Sequence, residues 1–379
     1  MEFNKKLFYI VGAGVGLLVI LVFAVWLYGN IVGSTMEYSK IEDLLEKSTI
    51  KYLNANPKLW PVKEEEYKDV DASVLVNAGY IEELSEYVPD GVQCTAKVKV
   101  YYIDGVDYDV VPNLYCGNEY RTKYLKDIIL DNLVVEGDGL YQRINNKFVS
   151  KPEDLAYGLE GSTYLYRGEN VDNYVKIGSE VFRIVQITEN EDFLLIAEEF
   201  LGGYSLFEWD DRYNAEIDQS WGINSYDLSR IRNSVNENFS SLSLGGNGAN
   251  KLRYFSLCTD KYKATSLVEG IANCSNSMME KIGLLPASNY VLASLDEKCV
   301  KFGDRSCGNY NYLSNATSSW WTVTANADNT HTAFYVSSSK YLDVSNAMVS
   351  YRLRPVVLMA SSARLVSGDG TVNNPYVIR

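Results

Sequence analysis

The chain has 379 residues, 46% hydrophobic and 22% charged, with a formal net charge of −14. That is enough length and apolar content for one or two real cores. The acidic excess argues against nucleic acid as a partner, because such binding rests on Lys and Arg neutralising phosphates, and no Lys- or Arg-rich run appears.

Residues Leu7 to Met36 carry no charge and follow Lys5 and Lys6 directly. The most apolar part, residues 7–29, would measure about 35 Å as a helix. This crosses roughly 30 Å of hydrocarbon with some tilt. The lysine pair predicts a cytoplasmic stub (1–6), a membrane-embedded anchor contacting lipid (7–29), and an extracellular remainder. A cleaved secretory signal shares the charged start, but the apolar run is long for an h-region and no A-x-A-like site closes it. Gly12 and Gly16 form a G-x-x-x-G pair through which two anchors can self-associate.

From Glu37 the pattern predicts an amphipathic helix, with Ile41, Leu44, Leu45, Tyr52 and Leu53 inward and Glu42, Asp43, Glu46 and Lys47 outward. A short helix follows, with Asp71 as N-cap and Gly79 just beyond its end. A hairpin spans residues 92–116. A three-residue turn from Asp104 to Val106 places Cys94 opposite Cys116, while a two-residue turn misses by one. Residues 30–126 therefore read as a small α+β domain. A membrane helix leading into an amphipathic helix and a small α+β head resembles pilins and pseudopilins, although their glycine-ended leader and early Glu are absent. The stretch Ala72 to Ile81 is similar to a segment in some of their heads.

Residues 127–160 mix charge, Gly and Asn and read as a linker, and 161–379 as a strand-rich α+β domain. Strands are expected over Tyr174–Ile187, Phe193–Ala197, Trp320–Val323, Ala333–Val336, Tyr341–Val344 and Leu353–Met359, and a helix over Ser225–Phe239. All six cysteines lie between Cys94 and Cys307. They group as neighbours, Cys94–Cys116, Cys258–Cys274 and Cys299–Cys307, and an even count in an exported region favours disulfides. Zinc is the rival, without a C-x-x-C and with a single histidine.

The landmarks Tyr174-Val175-Lys176-Ile177, Phe182-Arg183-Ile184-Val185, Tyr226 to Arg232, Gly283-Leu284-Leu285, Trp320-Trp321-Thr322 and Leu353-Arg354-Pro355-Val356-Val357 resemble an extracellular surface-domain family of low-GC Gram-positive bacteria. They are distantly similar to C-type-lectin-like folds, including formylglycine-generating-enzyme relatives. The resemblance covers residues 161–379 and implies an extracellular recognition module. The E-P-N or Q-P-D motif of calcium-dependent sugar-binding lectins is missing; Glu208-Trp209-Asp210-Asp211 is all the chain offers. No cysteine follows Cys307, so the redox pair of sulfatase-activating oxidases is missing too.

One histidine, His331, leaves little room for catalytic arrangements, and its polar loop suggests a solvated side chain. Two S-x-x-K matches, at Ser48 and Ser337, lack the accompanying K-T-G. Glu64-Glu65-Glu66 and Asp210-Asp211 are the densest acids, and no spacing shows that a pair faces across a cleft. Asp369, Asn373 and Asn374 offer oxygen ligands for Ca2+, but the spacing is not that of an EF-hand, and no cofactor is expected. The thirty tyrosines suit a binding surface. One of Trp320 and Trp321 is expected in the core. Tyr310, Tyr312, Asp328, Asn329 and His331, flanking that strand, form the expected recognition face. The expected function is a non-catalytic adhesin or receptor of the cell membrane, single-pass, taking an extracellular protein or glycan. A pilin-like or envelope structural subunit is the alternative, and an enzyme of wall or glycan polymers the third reading.

Overall fold

The computed structural model describes residues 36–379 except 63–66, 105–106, 157, 245–250, 270, 272–273 and 316. The expected anchor over 7–29, the Gly12/Gly16 pair and Glu64 to Glu66 lie outside the described residues. Among the described residues no helix is long and apolar enough to cross a membrane. The fold is α+β and mostly strand. The chain divides into two compact units, one ending at Thr122 and the other running from Lys123 to Arg379.

In the first unit a helix over Tyr38–Ala55 packs on a four-stranded sheet. The sheet order is Tyr67–Asp71, Thr95–Asp104, Asp107–Cys116 and Tyr120–Arg121. The first of these strands was not expected; its short, charged sequence carries only Val70 inward. Ile41, Leu45 and Leu53 are fully buried in one cluster with Val98, Val100 and Leu114. Each such side chain contributes about 1.5–3 kcal/mol by leaving water. Glu42 corrects the helical reading, since it is fully buried rather than outward. Its Oε1 accepts from Tyr120 Oη at 3.0 Å and from Thr122 Oγ1 at 2.5 Å, and these hydroxyls replace its hydration. The short helix runs Ala72–Asn77, and Gly79 turns the chain out of it at φ +74°. Asp71 precedes it as expected but makes no side-chain cap; Lys97 lies 3.7 Å from its carboxylate. The hairpin pairs Thr95 with Tyr115, the register that sets Cys94 opposite Cys116, and these two are disulfide-bonded.

In the second unit, residues 127–160 are no linker. A helix over Leu125–Leu130 leads to strands Leu133–Val134, Gly139–Ile144 and Lys147–Phe148. Gly139–Ile144 pairs along its whole length with Ser162–Arg167, so this segment belongs to the large sheet. Asn145 and Asn146, at φ +49° and +66°, supply the tight turn that their composition had suggested was a linker. The centre of that sheet runs Gly139–Ile144, Ser162–Arg167, Glu180–Ile187, Phe193–Ala197 and Pro355–Met359. Phe193–Ala197 and Pro355–Met359 are buried at every position, as their unbroken apolar sequences require.

The stretch from Tyr174 to Ile187 is two paired strands, Tyr174–Ile177 and Glu180–Ile187, because Gly178 turns the chain at φ +63°. The expected Ser225–Phe239 helix is shorter: Tyr226–Leu228 is a 3-10 turn and the α-helix is Arg230–Glu237. Ser229 caps it, accepting from Arg232 N at 3.3 Å, and Leu228 is left 70% exposed.

A second sheet orders Phe207–Glu208, Ser350–Leu353, Trp320–Ala325, Thr332–Val336 and Leu342–Asn346, with its second and third strands parallel. Both Trp320 and Trp321 are fully buried, against the expectation of one. Trp321 is covered by the rings of Tyr351 and Tyr335, at 4.8 and 6.1 Å, and donates to Phe207 O at 2.9 Å. Cys258–Cys274 and Cys299–Cys307 are also disulfide-bonded.

Candidate functional site

The site begins with a buried acid. Asp210 is fully buried and accepts from Ile223 N at 2.8 Å, Arg212 N at 3.1 Å, Arg212 Nε at 2.8 and 3.0 Å, and Arg230 N at 3.2 Å. These bonds fix a loop that the sequence alone leaves irregular. Gly222 lets it close: its φ is +81°, and a Cβ there would lie 2.3 Å from Asp210 O. The loop delivers Asn224 to a fixed point.

Asn224 is 1% exposed, with its Nδ2 within 2.9 Å of Asn326 O and 2.8 Å of both Asn329 O and Thr332 O. Its backbone N donates to Thr330 O at 2.8 Å, and its Oδ1 accepts from Lys261 Nζ at 2.9 Å. One amide thus ties two loops to the edge of a cleft of about 1000 Å³.

Three chain segments wall this cleft: Asn224 to Asp227, Thr259 to Tyr262 with Ser266 and Leu267, and Ser275 to Met278. Val323 and Ala325 of the Trp320–Ala325 strand, with Ile271, supply buried apolar lining. Tyr262 stacks on Phe302 at 4.5 Å, and Phe302 meets Phe334 edge-on at 5.9 Å, so one wall is anchored in the core. The opposite wall is a hairpin of Phe255–Cys258 and Ser277–Glu280, closed by Cys258–Cys274. Asp260 accepts from Ser275 N at 2.9 Å and from Asn276 N and Nδ2 at 2.8 and 3.0 Å, which holds the end of that hairpin. Cys258, Asp260 and Cys274 cluster as a metal site would, but both sulfurs are committed to the disulfide.

The charges in the cleft are tuned by simple causes. Partial burial of the Lys261 ammonium lowers its pKa from the ordinary lysine value, opposed by Glu216 and Asp227. The Ser225 hydroxyl bonded to Asp227 holds that carboxyl below its usual range. Burial pushes the Tyr226 hydroxyl up, and this hydroxyl has no hydrogen-bond partner among the described residues. The result is a lysine, a carboxylate, hydroxyls and amides around an apolar floor. Such a surface can hold a polar ligand by hydrogen bonds while covering one apolar face.

Of the five expected recognition residues, Asp328, Asn329 and His331 share the loop tied by Asn224. Asp328 pairs with Lys263 Nζ at 3.0 Å. Asn329 is a turn-former, its Oδ1 accepting from His331 N at 3.0 Å and from Thr332 N and Oγ1 at 2.9 Å. His331 is half-buried rather than solvated; its ring lies 5.4 Å from Trp221, and Nδ1 is buried without a partner among the described residues. The two tyrosines sit elsewhere in the fold. Tyr312 is fully buried, its ring 4.6 Å from the Arg183 guanidinium and its hydroxyl 3.5 Å from Ile184 O, which removes it from any recognition surface. Tyr310 is 60% exposed, and its carbonyl accepts from Leu295 N at 3.2 Å.

Asn224, Lys261 and Asp260 were not singled out by sequence. No periodic pattern marks them, because each acts through a loop contact distant in the chain. Matched against protein-family models, curated proteins and solved structures, the chain finds no counterpart in any of the three.

Proposed function

We propose that this chain is a membrane-anchored bacterial cell-surface receptor or adhesin without catalytic activity, in which the Lys123–Arg379 unit binds an extracellular polar ligand in the cleft at Asn224 and Lys261. The observation that carries this reading is the cleft itself: loops held rigidly by Asp210 and Asn224 surround an apolar floor with unspent polar groups. Three disulfides favour an oxidising exterior, where an apolar, uncharged segment at 7–29 would tether the chain. The domain would belong to the Gram-positive surface family it resembles, with a C-type-lectin-like lineage, and the first unit would serve as a pilin-like stalk.

The test uses the full-length chain in detergent micelles against arrayed glycans, matrix proteins and whole cells. Binding is expected to fall at least about tenfold in the double variant Lys261→Ala, Asp227→Ala while the thermal midpoint stays in place. Unchanged binding in that variant overturns the cleft as the binding site. Survival of the cystine-bearing region when protease is added to intact cells overturns the surface location.

A further inference from the structure

A second pocket, of about 380 Å³, lies among Glu198 to Phe200, Gly203 and Tyr204, Asn315, Thr317 and Ser318, and the end of the Ser350–Leu353 strand. It shares no residue with the cleft at Asn224. Two arginines enter it with different commitments. Arg354 is 3% exposed and fully engaged: Nε donates to Ala197 O at 2.7 Å, Nη1 to Leu313 O at 3.5 Å, and Nη2 pairs with Glu198 at 2.8 Å. Arg352 is held chiefly by rings, its guanidinium carbon 5.6 Å from the centre of Phe200 and 5.2 Å from that of Tyr204. Its Nη1 donates to Gly203 O. Among the described residues its Nε, shielded from water, has no acceptor, and the guanidinium's hydrogen bond is made through Nη1 alone.

The Nε–Nη2 edge of a guanidinium is a fork that fits the two oxygens of a carboxylate. We propose that this pocket is a carboxylate-binding subsite, with Arg352 as the anchor and a sugar acid as the ligand class. Charge selects the anion. Glu198 is neutralised by Arg354, and Glu199, also at the pocket, repels any anion, a phosphate dianion about twice as strongly as a carboxylate. The remaining lining selects the carrier. Thr317, Ser318 and Asn315 offer hydroxyl and amide groups to a polyhydroxylated ring, and the Tyr204 ring offers a face for stacking. Tyr204 is 93% exposed and follows Gly202 and Gly203, both at positive φ, so the turn they form presents its ring outward at the mouth of the pocket. The volume, near the low end of small-ligand sites, suits one sugar unit.

The probes are glucuronate, glucose, inorganic phosphate and an acetylated dipeptide with a free C-terminus, titrated into the full-length chain in micelles by calorimetry and saturation-transfer NMR. Glucuronate is expected to bind, glucose and phosphate to bind far more weakly, and Arg352→Gln to weaken glucuronate by at least about tenfold. Tyr204→Ala, at a fully solvated position, is expected to weaken it several-fold without moving the thermal midpoint, and it carries the test should Arg352→Gln fail to fold. Absence of glucuronate binding, equal binding of phosphate or of the peptide, or indifference to both substitutions overturns the assignment.

Discussion

Lys261 and Asn224 meet at the edge of the main cleft, the lysine Nζ donating to the amide oxygen at 2.9 Å. The two partners carry unequal loads. Asn224 also serves three carbonyls of the Asn326–Thr332 turn, while Lys261 is only partly buried and makes this one side-chain hydrogen bond among the described residues. The pair therefore joins a structural residue to a residue free to act on a ligand.

Substitution should separate these roles. Asn224→Ala leaves buried acceptors without a donor and is expected to cost about 2–3 kcal/mol. Lys261→Ala removes an exposed side chain and should change stability by less than about 0.5 kcal/mol. Chemical denaturation of both variants checks this, and a larger cost for Lys261→Ala would show that the lysine is scaffold as well.

Asp210 gives a sharper contrast with its neighbour Asp211. The buried Asp210 carboxylate collects donors from Arg212, Ile223 and Arg230, whereas Asp211 pairs at the surface with the exposed Arg230 side chain. Asp210→Ala strands those donors and is expected to cost about 3–5 kcal/mol. Arg230→Ala, which deletes only the surface pairing, should cost below about 1 kcal/mol. Urea midpoints of the two variants decide whether burial or mere proximity sets the value of these ion pairs.

What the sequence disclosed follows from the range of the forces involved. The hairpin register and Cys94–Cys116 were legible because strand alternation is local. Phe193–Ala197 was legible because a strand buried on both faces is apolar throughout. Residues 127–160 misled because the Asn-Asn pair that builds a tight turn has the same composition as a linker. Glu42 and Tyr312 misled for a related reason: a polar side chain is read as outward until its distant partners, Thr122 and Arg183, are known. The cleft was nearly invisible, since Asn224 and Lys261 are brought together across 37 positions by a buried acid.

The cross-links offer a prediction that also bears on location. Cys94 and Cys116 close a loop of sequence separation 22 at the open end of the hairpin. Replacing both by Ala is expected to cost the first unit about 3 kcal/mol through the freed unfolded chain. Because all six cysteines are paired, native alkylation should label none until a reductant is added. Labelling of the untreated, cell-derived protein would contradict the oxidising setting.

Buried tyrosines predict the alkaline limit. Burial raises the Tyr290 and Tyr312 hydroxyls far above the ordinary tyrosine value, and Tyr166 likewise, each nearly or fully enclosed. Their folded-state values exceed the unfolded value, so the unfolded chain loses these protons first. Their contribution is therefore complete below about pH 10 and declines as pH rises above it. Each such tyrosine contributes a slope of about 1.4 kcal/mol per pH unit in that window. Tyr312→Phe keeps the ring beneath Arg183 and deletes only a hydroxyl bonded weakly at 3.5 Å, so it should be close to neutral at pH 7. Above pH 10 the same variant should lose stability less steeply than the parent, by one tyrosine's share. Urea midpoints between pH 8 and about 11 measure the difference. Parallel curves for parent and variant would mean that Tyr312 ionises as readily folded as unfolded, and that its enclosure is incomplete in solution.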